Sequence, residues 1–223
     1  MKARLFPLIG IILTGCSTVP VVRYSNAYKI PSGEIGFDFS FGRELGAEIS
    51  SAESADEEET TLHQFPLFGI SGYRNLSDKM SLMVRLYNLL GIQTGLDYII
   101  CRNSKYSIGI DFNISYFQSS NDFVDPVRRY RAISLLFDSY FSKPLINKTN
   151  LKFITNSGIK LMASHLQVNS SHFNFLEPGI FANIYVKLLF LQIFPEVAYM
   201  LVETPAHTYH LERFWGIYIG LEL

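Results

Sequence analysis

The chain has 223 residues, of which 48% are hydrophobic and 14% aromatic, while only 17% are charged. The 19 basic and 20 acidic residues give a formal net charge of -1, and the bases are scattered singly apart from Arg128, Arg129 and Arg131. Nucleic-acid binding needs a basic face, so this composition argues against it. The length permits one sizeable domain.

The first fifteen residues have the order of a signal sequence. Two positive charges, at Lys2 and Arg4, precede an apolar run that ends at Leu13, and small residues follow it. This order of charged, apolar and small segments is typical of a secretory leader. The run is interrupted by Pro7, and it is too short for a membrane helix, which needs about twenty apolar residues.

The four residues Leu13-Thr14-Gly15-Cys16 resemble the lipobox of bacterial lipoproteins. The resemblance implies that residues 1–15 are removed, and that Cys16 then carries a thioether-linked diacylglyceryl group and an amide-linked acyl chain such as palmitate. Each buried methylene contributes about 0.8 kcal/mol, so several chains would form a durable membrane anchor. Family members with aspartate after the cysteine stay at the inner membrane. The residue here is Ser17, so the resemblance implies a lipid-anchored protein of the bacterial outer membrane.

Residues 16–32 show no period and contain Pro20 and Pro31, which predicts a lipidated tether before a domain at 33–223. In that domain apolar and polar residues alternate, as in strands with two different faces. The clearest stretches are 35–42, 106–116, 176–187 and 212–223, and weaker ones are 65–74, 79–89, 92–101, 130–141, 150–162 and 191–202. The fold class predicted is all-β, an antiparallel up-and-down barrel of about ten strands.

The connectors between these strands alternate in length, with one exception at Leu90-Gly91. Those predicted to be short are 75–78, 102–105, 143–148 and the neighbourhood of Leu189, and those predicted to be long are 43–64, 117–129, 163–173 and 203–211. Outer-membrane barrels have short periplasmic turns and longer outer loops. The pattern therefore favours such a barrel.

The polar faces are mostly Gly, Ser, Asn and Asp, which suits the crowded lumen of a narrow barrel and favours apolar faces turned toward lipid. The charges of those polar faces would then share the lumen: Asp38, Arg85, Asp97, Asp111, Asp138, Lys152, Lys160, Glu177, Lys187 and Glu196. Buried charges have to be paired, so we expect a plugged interior rather than an open pore. Aromatic residues near strand ends suit interfacial girdles, namely Phe41, Tyr106, Tyr116, Tyr199 and Trp215.

The sequence contains no metal, phosphate or nucleotide motif, and no cofactor is expected. Its five histidines lie in predicted connectors or at strand ends, where a structural or solvent-facing role is expected: His63, His165, His172, His207 and His210. One acidic connector, 43–64, contains Glu48, Glu53, Asp56, Glu57, Glu58 and Glu59. Dense like charge predicts a solvated loop, and the alternative is a contact with a divalent cation or basic ligand. Arg128 and Arg129 form a cation pair that could meet lipid phosphates.

One group of residues has the types that an acyl hydrolase needs, a hydroxyl beside an imidazole and a carboxylate. Ser171, His172 and Glu177 lie close together in sequence, and the stretch resembles outer-membrane lipid A deacylases, whose motif is His-x-Ser-Asn followed by Asn-Pro-Gly. Here Asn174 occupies the position of the family's nucleophile, and Glu177 replaces the Asn before Pro-Gly. Ser171 and His172 would also point to opposite faces of a strand. We therefore predict no catalytic residue.

Taken together, the sequence predicts a lipid-anchored outer-membrane β-barrel with a structural or surface-interaction role. Membrane lipid is the partner expected, through acylated Cys16 and the barrel exterior, and no protein partner can be named. Two alternatives stay open, an outer-membrane acyl hydrolase and a soluble periplasmic barrel that carries a hydrophobic ligand. The face of Ile108, Ile110 and Phe112 separates them, because it would point inward in a carrier and outward in a membrane barrel.

Overall fold

The computed structural model describes residues 18–21, 34–44, 64–88, 91–121, 128–203 and 208–222. The predicted signal peptide at 1–15, Cys16, most of the tether and most of the acidic connector lie outside these residues. Among the residues described, no helix is long and apolar enough to cross a membrane.

Within these ranges all the regular elements are strands. In chain order they are β1 Thr18–Val19, β2 Glu34–Glu44, β3 Gln64–Asn75, β4 Met80–Tyr87, β5 Gly91–Arg102, β6 Ser107–Asn121, β7 Arg128–Lys148, β8 Leu151–Val168, β9 Ser171–Leu188, β10 Leu191–Glu203 and β11 Tyr209–Glu222.

The strands β2–β11 form a closed antiparallel barrel in which each strand pairs with its sequence neighbours. The ring is closed by β11 and β2, whose pairing runs from Gly216↔Ser40 to Glu222↔Glu34. The register shifts between Ile99 and Cys101 and again at Pro144, where proline supplies no N–H to the ladder. The predicted all-β up-and-down barrel of about ten strands is confirmed.

The barrel has two different ends. The turn end contains Glu34 and Glu222, where the barrel strands begin and finish, together with the connectors 76–79, 103–106, 149–150 and 189–190. The loop end contains the turn 169–170 and the strand ends Glu44, Gln64, Tyr87, Gly91, Asn121, Arg128, Glu203 and Tyr209.

The connector predicted over 163–173 is wrong. Strand β8 continues to Val168 and β9 starts at Ser171, so Asn169 and Ser170 alone form the turn. Asn169 has a φ of 53°, a left-handed conformation that asparagine tolerates better than most residues. Both faces of the extension carry polar residues, such as Ser164 and His165, and these obscured the alternation of the strand.

The apolar faces point outward, as predicted. On β6, Ile108, Phe112 and Ile114 are 36–44% exposed, and on β2 Phe37 is 63% exposed. The outward row of β9 likewise contains Leu176, Ile180 and Ile184. A carrier barrel would have these residues in its lumen, so the structure opposes the soluble-carrier alternative.

The lumen is filled by side chains. Small polar residues line it, as expected. Large aromatic side chains that were not predicted there also occupy it, and they are at most 2% exposed: Tyr87, Phe117, Tyr140, Tyr185, Phe194, Phe214 and Tyr218. Glycines make room for some of these rings. A Cβ at Gly36 or Gly220 would overlap the ring of Tyr218, and a Cβ at Gly109 would overlap Tyr140.

The short strand β1 lies inside the loop end of the lumen. It pairs with β2 at Thr18↔Glu44 and Val19↔Arg43, and its Cα atoms also come within 8 Å of those of β6 and β7. The latter strands lie across the barrel from β2, and Val21 is fully buried in the cluster formed by lumen side chains. Residues 18–21 therefore close part of this mouth, where the sequence predicted only an aperiodic tether.

Candidate functional site

The first candidate region is the lumen, whose charges form ion pairs. Near the turn end, Asp38 of β2 accepts hydrogen bonds from both the Nε and the Nη2 of Arg85 in β4, the first at 3.1 Å. Ser71 donates to the same carboxylate, and Arg85 donates to Ser40 as well. Asp38 and Arg85 are both at most 5% exposed, so the pair is formed away from solvent.

A second cluster lies around Lys160 of β8. Its Nζ is 2.8 Å from Asp138 Oδ2 on β7 and 3.0 Å from Glu196 Oε1 on β10. It also lies 4.3 Å from the centre of the Phe181 ring, within the range of a cation–π contact. Because β9 separates β8 from β10, this lysine links strands that are not neighbours in the wall.

A third cluster lies at the loop end, beside β1. Arg43 Nε is 3.3 Å from Glu177 Oε1, and Arg43 Nη2 donates to the carbonyl oxygen of Glu203 at 3.1 Å. Pairing between β9 and β10 ends at Gly179↔Met200, and side chains bridge the two strands beyond this point. The backbone N–H of Glu203 donates to Glu177, and the N–H of Leu176 donates to the carboxylate of Glu203.

The prediction of a lumen crossed by ion pairs is therefore confirmed for these charges. Of the predicted set, Asp97 and Lys152 are only partly buried, and Tyr140 donates to Asp97 at 2.5 Å. Sequence reasoning did not identify Arg43, because it stands at the edge of the connector predicted over 43–64.

The three residues weighed for hydrolysis do not converge. His172 is on the outer wall, while Glu177 points inward, is fully buried and binds Arg43. The polar contact of His172 within the described chain is with His165, whose Nε2 is 3.4 Å from His172 Nδ1. Ser171 is exposed at the start of β9. A hydrolytic site needs a nucleophile within about 3 Å of its base, and this arrangement does not provide one.

The second candidate region is on the outside of β7–β9 at the loop end. We call it the polar outer patch and define it as Arg129, Arg131, His165, Gln167, His172 and Asn174. Strand pairing places these side chains in rows across the wall, Arg131↔Gln167↔His172 and, next to it, Ile133↔His165↔Asn174. His165 Nδ1 is 2.8 Å from Asn174 Oδ1, and the two imidazole rings stack with centroids 5.4 Å apart.

The predicted cation pair of Arg128 and Arg129 stays a prediction, and the patch brings a different pair together. Arg129 and Arg131, two residues apart on β7, share the outward face and line a cavity of about 470 Å³ with Gln167 and Asn169. Arg128 is adjacent to Arg129 in the strand, and its side chain is outside the described part. The strand period alone could have found the pair, because residues i and i+2 share a face.

Directly below the patch, toward the turn end, is an apolar groove of about 340 Å³. Its outward-facing lining comes from Ile133 and Leu135 of β7, Ala163 and His165 of β8, and Asn174 and Leu176 of β9. Ala163 pairs with Leu135 on one side and with Leu176 on the other. The small alanine between two leucines gives the groove its floor.

No group of three or more His, Cys, Asp or Glu side chains able to hold a metal ion occurs in the described ranges. Cys101 is a partly buried free cysteine. His63 and His207 lie outside the described residues, and His210 is exposed on β11, next to Thr208.

No protein-family model matches the sequence, and no curated protein matches it. Among solved structures, a bacterial polysaccharide outer membrane secretin is similar over 86% of this chain and 99% of its own, with 7% identity and a TM-score of 0.31. OccAB3 of Acinetobacter baumannii is similar over 92% of this chain and 70% of its own, with 12% identity and a TM-score of 0.30. Outer-membrane expressed OmpT of Vibrio cholerae is similar over 87% and 99%, with 10% identity and a TM-score of 0.23. The barrel itself follows from this chain's own strand pairing.

Proposed function

We propose that this chain is an outer-membrane barrel with a sealed lumen, anchored additionally by lipid at Cys16, with a structural or surface-interaction role. The observation that carries the proposal is the orientation of the wall, because apolar side chains face outward on every side of the ring while the charges pair inside. Soluble proteins rarely expose apolar patches larger than a few hundred Å². Lipid is the environment in which such a surface is stable.

The extent of the apolar surface also supports a spanning barrel. On β7 the outward row from Ile133 to Phe141 covers eight residue steps, and on β9 the row from Leu176 to Leu188 covers twelve. At about 3.3 Å per residue these rows are roughly 26 and 40 Å long along strands that tilt in a barrel. An apolar band about 25 Å tall is typical of outer-membrane barrels.

The contents of the lumen support a role other than conduction. The side chain of Lys160 links the β7 side to β10, Arg43 and residues 18–21 occupy the loop end, and Tyr218 fills space beside Gly36. An ion crossing this interior would have to separate buried ion pairs, and separating them costs free energy because each charge would be left without its partner. A surface role through the loop end fits a barrel filled in this way.

Residues 18–21 bear on where the proposed lipid anchor is attached. Cys16 is two positions before Thr18, and a chain extends at most about 3.6 Å per residue. Thr18 is at the loop end, opposite Glu34, so a lipid anchor attached two positions earlier would be expected near that end. An acylated Cys16 would enter the leaflet on the same side as the connectors of the loop end.

Two measurements test the proposal. Membranes from cells that make the wild type or Cys16→Ala are labelled with a fatty-acid probe, extracted with carbonate and run on gels with and without heating. We expect Cys16→Ala to lose the label, yet to stay in the carbonate pellet and to keep a heat-dependent mobility. Release of the unlabelled variant by carbonate would contradict the spanning barrel, and retention of the label would contradict the anchor.

Conductance tests the sealed lumen. Purified protein added to a planar bilayer is expected to give no stepwise current, whereas an open porin added to the same bilayer provides the positive control. Reproducible ohmic steps from the wild type would exclude the sealed lumen, and would leave the membrane assignment intact.

A further inference from the structure

We propose that the polar outer patch and the groove below it bind one phosphate-bearing acyl lipid of the surrounding membrane. The phosphate would lie on Arg129 and Arg131, and an acyl chain would follow the groove across Ala163. This inference rests on the proposed membrane location, and it adds a specific ligand to it.

The first support is the unbalanced positive charge of the patch. Arg129 and Arg131 are exposed on the same face of β7, and neither pairs with a carboxylate in the described part of the chain. The guanidinium group is planar and binds phosphate through two parallel hydrogen bonds. Two such groups beside one cavity of about 470 Å³ are suited to an anionic headgroup.

The second support is the order of the rows along the wall. From the loop end downward, the rows are Arg131 with Gln167, then Ile133 with His165, and then Leu135 with Ala163. Successive rows are about 6–7 Å apart along a strand. Charge thus gives way to amphipathic rings and then to aliphatic side chains over roughly 13 Å, which is the order of groups from the headgroup to the acyl chain of a lipid.

The third support is the shape below the cations. Ala163 is recessed between Leu135 and Leu176, and the groove across it is lined mainly by apolar atoms of β7–β9. Glu203 borders the far side of the groove, where its carboxylate accepts a hydrogen bond from the N–H of Leu176. That carboxylate lies at the level of the acyl chain and is directed at the backbone, so it does not compete for the arginines.

The histidine stack defines the boundary between the two parts. His165 is held by Asn174 on one side and by His172 on the other. These two contacts engage both nitrogens of the His165 ring, so the ring is fixed where it borders the upper end of the groove. The same residues that resemble a hydrolase motif therefore serve to position a lipid, with no nucleophile required.

The charge part of the site is tested by lipid titration of the full chain, purified in detergent and followed by native mass spectrometry. The probes are dioleoylphosphatidic acid, dioleoylglycerol, which has the same chains without the phosphate, and inorganic phosphate as a competitor. We expect one bound phosphatidic acid per wild-type barrel, weak dioleoylglycerol binding and little displacement by inorganic phosphate. The double variant Arg129→Gln/Arg131→Gln should weaken phosphatidic acid binding about tenfold or more.

The matched charge control is Lys143→Gln/Lys148→Gln. It removes the same two charges from the exposed turn end of β7, and we expect it to bind like the wild type. Equal losses in both double variants would mean that only overall charge matters, which would overturn the site. Equal binding of dioleoylglycerol, or full displacement by inorganic phosphate, would overturn the lipid as ligand.

The groove is tested by Ala163→Leu, which should fill it and weaken phosphatidic acid binding by a similar factor. Ala182→Leu adds the same group to the outward face of β9 and serves as the control. Unchanged binding by Ala163→Leu would overturn the proposal. Carbonate extraction and heat-dependent mobility are measured on every variant. If the predicted losses of lipid binding are not seen while extraction and mobility stay unchanged, the lipid site alone is refuted. If the wild-type protein itself leaves the membrane, the proposed function is refuted.

Discussion

Arg43 of β2 and Glu177 of β9 form an ion pair inside the barrel, with Nε 3.3 Å from Oε1, although β11 and β10 separate their strands around the wall. Both side chains are fully buried. The pair lies beside β1 and beside the point where β9 and β10 stop pairing. It therefore connects β2, where β2 pairs with β1, to the part of the wall in which β9 and β10 do not pair.

Removing one member of this pair should destabilise the barrel. Arg43→Met leaves the carboxylate of Glu177 buried without its arginine, and breaking a buried pair in this way costs about 3–5 kcal/mol. Urea titration of the folded fraction in detergent, read from heat-dependent mobility, measures the change. The exposed Arg74→Met is the control, with an expected change of about 0.5 kcal/mol or less.

The double variant Arg43→Met/Glu177→Leu distinguishes an uncompensated charge from lost packing. Apolar replacement of both partners is often neutral or stabilising, so most of the stability should return. A double variant as unstable as the single one would show that the arginine acts through its packing.

A glycine that faces the lumen should respond differently to an added Cβ from one on the outer wall; Gly36 faces the lumen, whereas Gly72 shares the outward face of β3 with Phe68 and Ile70. A Cβ at Gly36 overlaps the ring of Tyr218, which is fully buried and donates a hydrogen bond to Glu34 at 3.1 Å. Gly36→Ala should therefore cost about 1–3 kcal/mol by overpacking. A Cβ at Gly72 comes no closer than 4.0 Å to any neighbour, so Gly72→Ala should have little effect in the same urea titration. Equal stability of the two variants would contradict the packing of Tyr218.

The sequence predicted the barrel because period two is a local property. The outward rows that contain Ile108 and Ile180 could be read directly, and the same alternation placed Asp38, Lys160 and Glu177 inside. The contact of Glu177 with Arg43 could not be predicted, because it depends on the closing register of β2 with β11 and on the tilt of the strands. Neither the closing register nor the tilt can be read from the local alternation of residues.

The polar outer patch was partly predictable. Arg129 and Arg131 are two residues apart, so a strand at this position would have placed them on one face. The strand predicted over 130–141 began one residue after Arg129, and the extension of β8 through His165 was missed, because polar residues occupy both faces near the loop end. The lumen position of Val21 could not be inferred either, since the four residues 18–21 show no period that would indicate what they pack against.

A charge introduced on the outward apolar face should destabilise the barrel more in the middle of the band than near its edge. Ile159 and Ile180 face each other across β8 and β9 in the middle of the band, and each is 59% exposed. In lipid, Ile159→Lys should cost about 2–4 kcal/mol, while Leu211→Lys near the loop end should cost about 0–1 kcal/mol. Urea titration after reconstitution into phospholipid vesicles measures both. A neutral Ile159→Lys would indicate that this wall faces water.

The lumen position of β1 can be tested by cross-linking. Thr18 and Glu44 are partners in an antiparallel pair, in which Cα atoms are about 4.5–5.5 Å apart, within the range that a disulfide spans. In a Cys101→Ser background, Thr18→Cys/Glu44→Cys should form an intramolecular disulfide on mild oxidation, detected as a shift in non-reducing gel mobility. Thr18→Cys/Glu222→Cys pairs the same residue with the turn end and should stay reduced. If the second pair cross-links and the first does not, the segment after Cys16 lies at the turn end, and the proposed anchor belongs to the opposite leaflet.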